Sequence, residues 1–181
     1  MKSISKILYL PIVGVFLLLI AGCGPSKNTS ENLVSDSVDA KATIIAKHPR
    51  MAELFSTSKG YAIFPNVGKG AYVIGGASGN GTVYENGRMV GYADLKQVDI
   101  GLQIGGKAFI EVLFFQTQSA LDDFKDGSYQ LSGNISAVIL EEGASKDVEF
   151  NNGIAVVTMP KAGAMAGISV GGQRFEFFPV N

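Results

Sequence analysis

The sequence offers few of the residues that catalytic and nucleic-acid-binding proteins rely on: one cysteine, one histidine, no tryptophan, and arginine only at Arg50, Arg88 and Arg174 in 181 residues. A single thiol excludes an internal disulfide framework and any cysteine-cluster metal site. So few guanidinium groups leave little means for bidentate phosphate recognition. Charge is scarce as well, at 17% of residues against 46% hydrophobic, which excludes wholesale disorder and implies a buried core. Basic and acidic side chains nearly balance at 15 and 16, so no basic face is expected for nucleic acid. The length suits one domain with an appendage.

The appendage is N-terminal. Lys2 and Lys6 precede an apolar run over residues 7–20, which is 14 residues long and contains Pro11 and Gly14. A bilayer-spanning helix needs about 20 apolar residues, so the pattern is that of a signal peptide rather than a permanent span. It ends in Ile20-Ala21-Gly22-Cys23, which resembles the bacterial lipobox, where a branched aliphatic residue and two small residues precede a cysteine that is acylated and becomes the mature N-terminus. Ile20 stands where Leu is usual. The expectation is therefore a lipoprotein signal peptide at residues 1–22 and lipid attachment at Cys23. Two or more acyl chains, at about 0.8 kcal/mol per buried methylene, anchor a protein stably to a membrane without spanning it. Gly24, rather than Asp, follows the cysteine, which in a Gram-negative cell resembles the rule for outer-membrane export and a periplasmic-face location.

Residues 23–32 are polar and rich in turn formers, so a flexible tether is expected, with the domain at 33–181. Val34, Val38, Ala42 and Ile45 recur at helical spacing and predict an amphipathic helix over 33–47, interrupted by His48-Pro49. A second short helix over 50–57 would face Met51, Leu54 and Phe55 to the core. From Gly60 to Gly106 the chain carries 12 of its 23 glycines. Strands are predicted at 61–64, ended by Pro65-Asn66, at 71–77, and on either side of Asn86-Gly87, a strong hairpin signal because both turn positions favour positive φ. Residues 98–115 alternate and then become apolar on both faces. A short helix over 119–125, ended by Asp126-Gly127, precedes further strands at 134–140, 148–159 around Asn152-Gly153, and 164–178. The fold class is α+β: N-terminal helices, then a mostly antiparallel, Gly-rich sheet curled as a sandwich or partial barrel. Glycine pairs at 75–76, 105–106 and 171–172 read as bends or bulges.

A search for catalytic constellations returns little. His48 lies between two helices with no thiol to pair with. Asp94 and Asp99, five residues apart, face opposite sides of a regular strand. Asp122, Asp123 and Asp126 read as a solvated helix end rather than a metal site. Gly68-Lys69-Gly70 and Gly76-Ala77-Ser78-Gly79-Asn80-Gly81 are not phosphate loops, because no Gly-Lys is followed by Ser or Thr. The expectation is a protein that is not an enzyme and needs no metal or cofactor.

Several blocks in fixed order carry a family resemblance: Phe64-Pro65-Asn66-Val67-Gly68-Lys69-Gly70, Val73-Ile74-Gly75-Gly76-Ala77-Ser78-Gly79, Gly91-Tyr92-Ala93-Asp94 and Ile100-Gly101-Leu102-Gln103-Ile104-Gly105-Gly106. Val112-Leu113-Phe114-Phe115-Gln116-Thr117, Ala120-Leu121-Asp122-Asp123-Phe124 and Ala162-Gly163-Ala164-Met165-Ala166-Gly167-Ile168-Ser169 extend it. Over about residues 34–178 the chain resembles the SYLF family. That resemblance implies a lipid-binding module, since eukaryotic members bind phosphoinositide membranes, partly through an N-terminal amphipathic helix, and some fungal members bind actin. Bacterial members are commonly exported, often as lipoproteins, and anionic phospholipid is the corresponding partner in a bacterial envelope.

On that reading the 33–47 helix lays Val34, Val38 and Ile45 into a headgroup region while Lys41, Lys47 and Arg50 meet anionic lipid, at about 1 kcal/mol per basic residue. Asp36 and Asp39 oppose it, and the alternative is a helix that simply packs on the sheet. Lys59, Lys69 and Lys107 are further headgroup candidates. A second functional reading makes the domain a structural or protein-interaction module of the envelope, held at the membrane only by its acyl chains.

Overall fold

The computed structural model describes residues 27–68, 76–98, 108–131, 135, 137–141, 147–161, 170 and 172–180. The described elements run α1 (Lys27–Lys47), α2 (Met51–Thr57), β1 (Gly60–Val67), β2 (Gly76–Glu85), β3 (Arg88–Val98), β4 (Phe109–Phe115), α3 (Gln118–Lys125), β5 (Ser128–Gln130), β6 (Ala137–Ile139), β7 (Ile154–Pro160) and β8 (Gln173–Pro179). The strands form one sheet in the order β5-β8-β3-β2-β1-β4-β7-β6. Every pairing is antiparallel except that of β6 with β7. The fold is thus α+β with a curled, mostly antiparallel half-barrel, as the sequence led us to expect.

Local chemistry accounts for the joints. Asn86 and Gly87 take φ of 50° and 77°, the left-handed pair that a two-residue hairpin turn requires, and Asn152 and Gly153 repeat it at 51° and 78°. Thr117 caps α3, its hydroxyl accepting from the Ala120 N–H at 3.2 Å. At the other end of α3, Gly127 adopts φ 105°, which only glycine enters without strain. The break between α1 and α2 falls at His48-Pro49, where expected.

Four features differ from expectation. Strand β1 does not stop at Pro65-Asn66: it continues to Val67 through a register shift between Phe64 and Val67, because an irregularity is where a residue without an N–H is tolerated. Helix α1 starts at Lys27, so residues 27–32, expected as tether, are helical. No Gly or Pro lies between Lys27 and Asn32 to stop a nucleated helix from extending. Residues 148–150 are not strand, and β5 follows α3 in a stretch where none was foreseen. The strand expected at 71–77 is described only from Gly76, and the alternating segment at 99–107 and the 164–169 start of the last expected strand lie outside the described residues.

The sheet separates two apolar layers. On its concave side Phe64, Leu113, Phe115, Leu121, Phe124, Leu131, Ile154 and Phe175 pack together, α3 supplying Leu121 and Phe124. On its convex side α1 and α2 bring Ala40, Ile44, Met51 and Phe55 onto Tyr61, Ile63, Phe114 and Val157. Strand β4 lies between the layers and is buried along its whole length, which explains why its apolar residues do not alternate with polar ones.

Candidate functional site

Cys23 lies outside the described residues, as do Lys69 and Lys107. The other basic candidates gather along the second half of α1 and around α2. Lys41 is half-buried rather than presented to solvent. Its ammonium stands 4.8 Å from the centroid of the Phe55 ring and 4.7 Å from that of Tyr61, and donates to the Tyr61 hydroxyl at 3.0 Å. Tyr61 in turn stacks on Tyr84 at 4.8 Å. Burial lowers the Lys41 pKa, against a smaller upward pull from Tyr84, and burial raises that of Tyr61. This is a cation–π seat that pins α1 to β1. Arg50 pairs with Asp147 at 3.2 Å, both exposed. Lys47 is exposed in the last turn of α1, where a cation complements the helix dipole. Lys59 is exposed beside β1, its backbone N–H donating to the Phe115 carbonyl at 2.9 Å.

The face of α1 that packs is rotated from the one its periodicity suggested. Ser37, Ala40 and Ile44 are buried, whereas Val38 is 56% exposed and Ala42 is also exposed. Val34 and Ile45 are partly buried, and Ile45 packs against the convex core. The helix is too poor in large apolar residues for hydrophobicity alone to fix its facing side; the close fit of Ala40 and Ile44, with the Lys41 seat, decides it. Its apolar stripe therefore lies on the sheet, leaving Val38 as the large apolar residue of α1 facing outward.

The acidic groups singled out from the sequence do not form a reaction centre. Asp94 accepts from the Asn80 side-chain amide at 2.5 Å, and Asp99 lies outside the described residues. Asp122 belongs to a surface network in which Lys125 reaches it at 3.1 Å and Glu85 at 2.9 Å. Hydrogen bonds from Lys125 and then Gln118 lower the pKa of both carboxylates, while for Lys125 the two carboxylates outweigh burial and raise it. Asp123 and Asp126 are exposed. His48 serves through its backbone, its N–H donating to the Ile44 carbonyl at 2.8 Å and its carbonyl accepting from Met51 at 2.9 Å. Among the described residues, no group of three His, Cys, Asp or Glu side chains is placed to hold a metal ion, and no helix is long and apolar enough to cross a membrane.

The polar group that the sequence reading passed over is Glu111. It sits in the otherwise apolar strand β4 and is fully buried with Gln97, Thr158 and Gln173. The Gln173 amide donates to Glu111 Oε2 at 3.0 Å and to Gln97 Oε1 at 3.2 Å. Burial, only partly countered by the Gln173 hydrogen bond, pushes the Glu111 pKa up to about 8. The signal was present: one acid inside Phe-Ile-Glu-Val-Leu-Phe-Phe.

With this geometry in place, two comparisons give the chain its relatives. Residues 96–177 match the family model Ysc84, described as Las17-binding protein actin regulator. The chain is also 23% identical over 146 residues to the protein named Beta cell expansion factor A from Aeromonas veronii, an alignment covering 80% of this chain and 54% of that protein. The chain thus spans about half the length of that curated relative. The matched stretch runs from the last residues of β3 into β8 and contains Gln97, Glu111 and Gln173, so over residues 96–177 the Ysc84 match falls on the same blocks that carry the SYLF resemblance.

Proposed function

We propose that this protein is a lipid-anchored, non-enzymatic component of a bacterial envelope, attached through Cys23, whose SYLF domain works against the membrane surface and binds phospholipid there. In a Gram-negative cell its place is the periplasmic face of the outer membrane. The observation that carries the reading is the spacing of anchor and domain. The lipobox-like Ile20-Ala21-Gly22-Cys23 closes the apolar leader, and α1 begins at Lys27, four residues later. Four residues reach at most about 14 Å even when fully extended, so an acylated Cys23 holds the start of α1 at headgroup depth. Each basic group that faces the membrane then adds about 1 kcal/mol on an anionic surface.

The test uses a Cys23→Ser form without its leader and vesicles of phosphatidylcholine with and without phosphatidylglycerol. Sedimentation with the anionic vesicles that weakens as salt is raised supports headgroup binding by the domain. Failure to sediment at low salt refutes it. Mass spectrometry of the protein from its own cells, showing an unmodified thiol at Cys23, refutes the anchor separately.

One observation favours a second reading. Lys41 is seated within the fold, Arg50 pairs with Asp147, and the apolar stripe of α1 lies on the sheet, so the surface expected to meet lipid is partly consumed by the fold. The family description names a protein, Las17, as the target of its members. On this reading the domain docks a protein and the acyl chains alone supply membrane affinity. A Cys23→Ser form that ignores vesicles yet cross-links to a defined envelope protein supports it.

A further inference from the structure

We propose that Glu111 is held as a neutral carboxylic acid joined to the Gln173 amide by two hydrogen bonds, and that this pair is a proton-operated clasp closing one end of the concave core. In sheet order β4 and β8 are separated by β1, β2 and β3, so no backbone ladder joins them. They meet only because the sheet curls, and at this end the contact between them is Gln173 Nε2 on Glu111 Oε2 at 3.0 Å. Glu111 lies near the start of β4, Gln173 at the start of β8, Gln97 near the end of β3 and Thr158 near the end of β7, so all four polar side chains mark the same end of the sheet.

The unpaired oxygens of the pair point to its protonation state. Glu111 Oε1 and Gln173 Oε1 are both buried without a partner, and they are the second oxygens of two planar groups already bonded through their other atoms. A proton on Glu111 Oε1 satisfies both at once: the acid O–H donates to the Gln173 carbonyl, while the Gln173 N–H donates to the acid, completing a cyclic acid–amide pair. An ionised Glu111 would leave both of these oxygens buried without a donor and, among the described residues, a charge without a counter-ion.

No cation offsets that charge among the described residues. On β3 and β8 the charged side chains Asp94, Lys96, Arg174 and Glu176 occupy alternate positions and point to the other face. Glu85 and Arg88 lie at the far hairpin end of β2 and β3, and on α3 Lys125 pairs with Glu85 and Asp122 while Asp123 is exposed. Strands β1 and β7 carry no charged residue. Tyr129 of β5, the other titratable group against the concave core, packs on Phe124 at 5.9 Å. When the acid ionises, its O–H bond breaks, the proton passes to water and the electron pair stays on the carboxylate. The Gln173 carbonyl then faces an anion, and β8 parts from β4 to admit water.

Infrared spectroscopy of the purified protein in D₂O tests the proton, and an apolar fluorescent dye tests the opening. The expected result is a protonated-carboxyl band at pH 6 that disappears with a midpoint near 8 and is absent from Glu111→Gln. Dye fluorescence should rise several-fold across the same midpoint in the unaltered protein and stay flat in Glu111→Gln. No protonated carboxyl at pH 6, or superimposable dye curves for the two proteins, overturns the clasp. If Glu111→Gln fails to fold, Glu111→Asp keeps the acid but withdraws it by one methylene: a shifted band assigns the group, and an unshifted band overturns the assignment.

Discussion

Replacing Glu111 by Gln should change the slope of stability against pH, and the sign follows from which state holds the proton. In the unfolded chain the carboxyl titrates at its ordinary 4.5; in the fold it titrates near 8. Between those values the native state binds the extra proton, so stability is fully present below about pH 4.5, falls as pH rises, and levels off above about 8. Each pH unit within that window is worth about 1.4 kcal/mol, so the span from 4.5 to about 8 corresponds to ~5 kcal/mol. Glutamine presents the same shape to Gln173 with an N–H in place of the acid O–H, so the cyclic pair survives at a cost of about 1 kcal/mol in hydrogen-bond quality. The variant is therefore expected to match or slightly trail the unaltered protein at pH 4.5 and to exceed it by several kcal/mol at pH 9. Urea midpoints by circular dichroism, taken from pH 4.5 to 9 on both proteins, measure the difference. The subtraction removes the contributions of Glu85, Asp122 and Lys125, which titrate alike in both. A difference that does not grow between pH 5 and 8 refutes a proton held at Glu111.

Other changes test the packing and the lipid surface. Lys41→Met keeps the buried stem but removes the ammonium from the Phe55 and Tyr61 rings, which should cost about 1 kcal/mol by chemical denaturation. Because that ammonium is committed to the fold, vesicle binding should be unchanged in the same variant; a marked loss would make Lys41 a headgroup ligand. Gly91→Ala sets a Cβ against the Phe177 ring and 2.5 Å from the Phe178 carbonyl oxygen, so the β3–β8 ladder must shift, and a loss of about 1–3 kcal/mol is expected. Leu121→Ala empties a fully buried site where α3 meets the concave core and should lower stability by ~3 kcal/mol.

Backbone chemistry was legible wherever one residue type leaves one option. Asn86-Gly87 and Asn152-Gly153 announced their turns, His48-Pro49 its helix break, and residues 110–115 a strand covered on both faces. The facing of α1 was not legible, because Val34, Val38, Ala42 and Ile45 form as good a stripe as Ser37, Ala40 and Ile44 until the sheet selects one. The Lys41 seat was hidden for a related reason: its rings come from α2 and β1, 14 and 20 residues further along the chain. Glu111 could have been flagged as an acid in an apolar strand, but not its partner, since Gln173 lies 62 residues away and reaches it only when the sheet curls. Propensity and periodicity report on neighbours along one element; these contacts depend on closure of the whole sheet.

The strand order also fixes how much of the chain the family match requires in order to fold. Residues 96–177 supply the end of β3, all of β4 to β7 and most of β8. In the sheet those pieces do not adjoin: β5, β8 and β3 lie on one side, β4, β7 and β6 on the other, and β2 and β1 stand between them. Without residues 60–85, β4 loses its ladder with β1 from Gly60↔Phe115 to Val67↔Phe109, and β3 loses its ladder with β2. The two remaining groups would carry unpaired edges, with only side chains such as Glu111 and Gln173 to join them. A fragment of residues 96–177 is therefore expected to be unfolded or aggregated by circular dichroism and light scattering, and a fragment starting at Gly60 should recover the sheet while lacking the convex cover of α1 and α2. If the 96–177 fragment folds cooperatively as a monomer, β1 and β2 are not the bridge that the sheet order makes them.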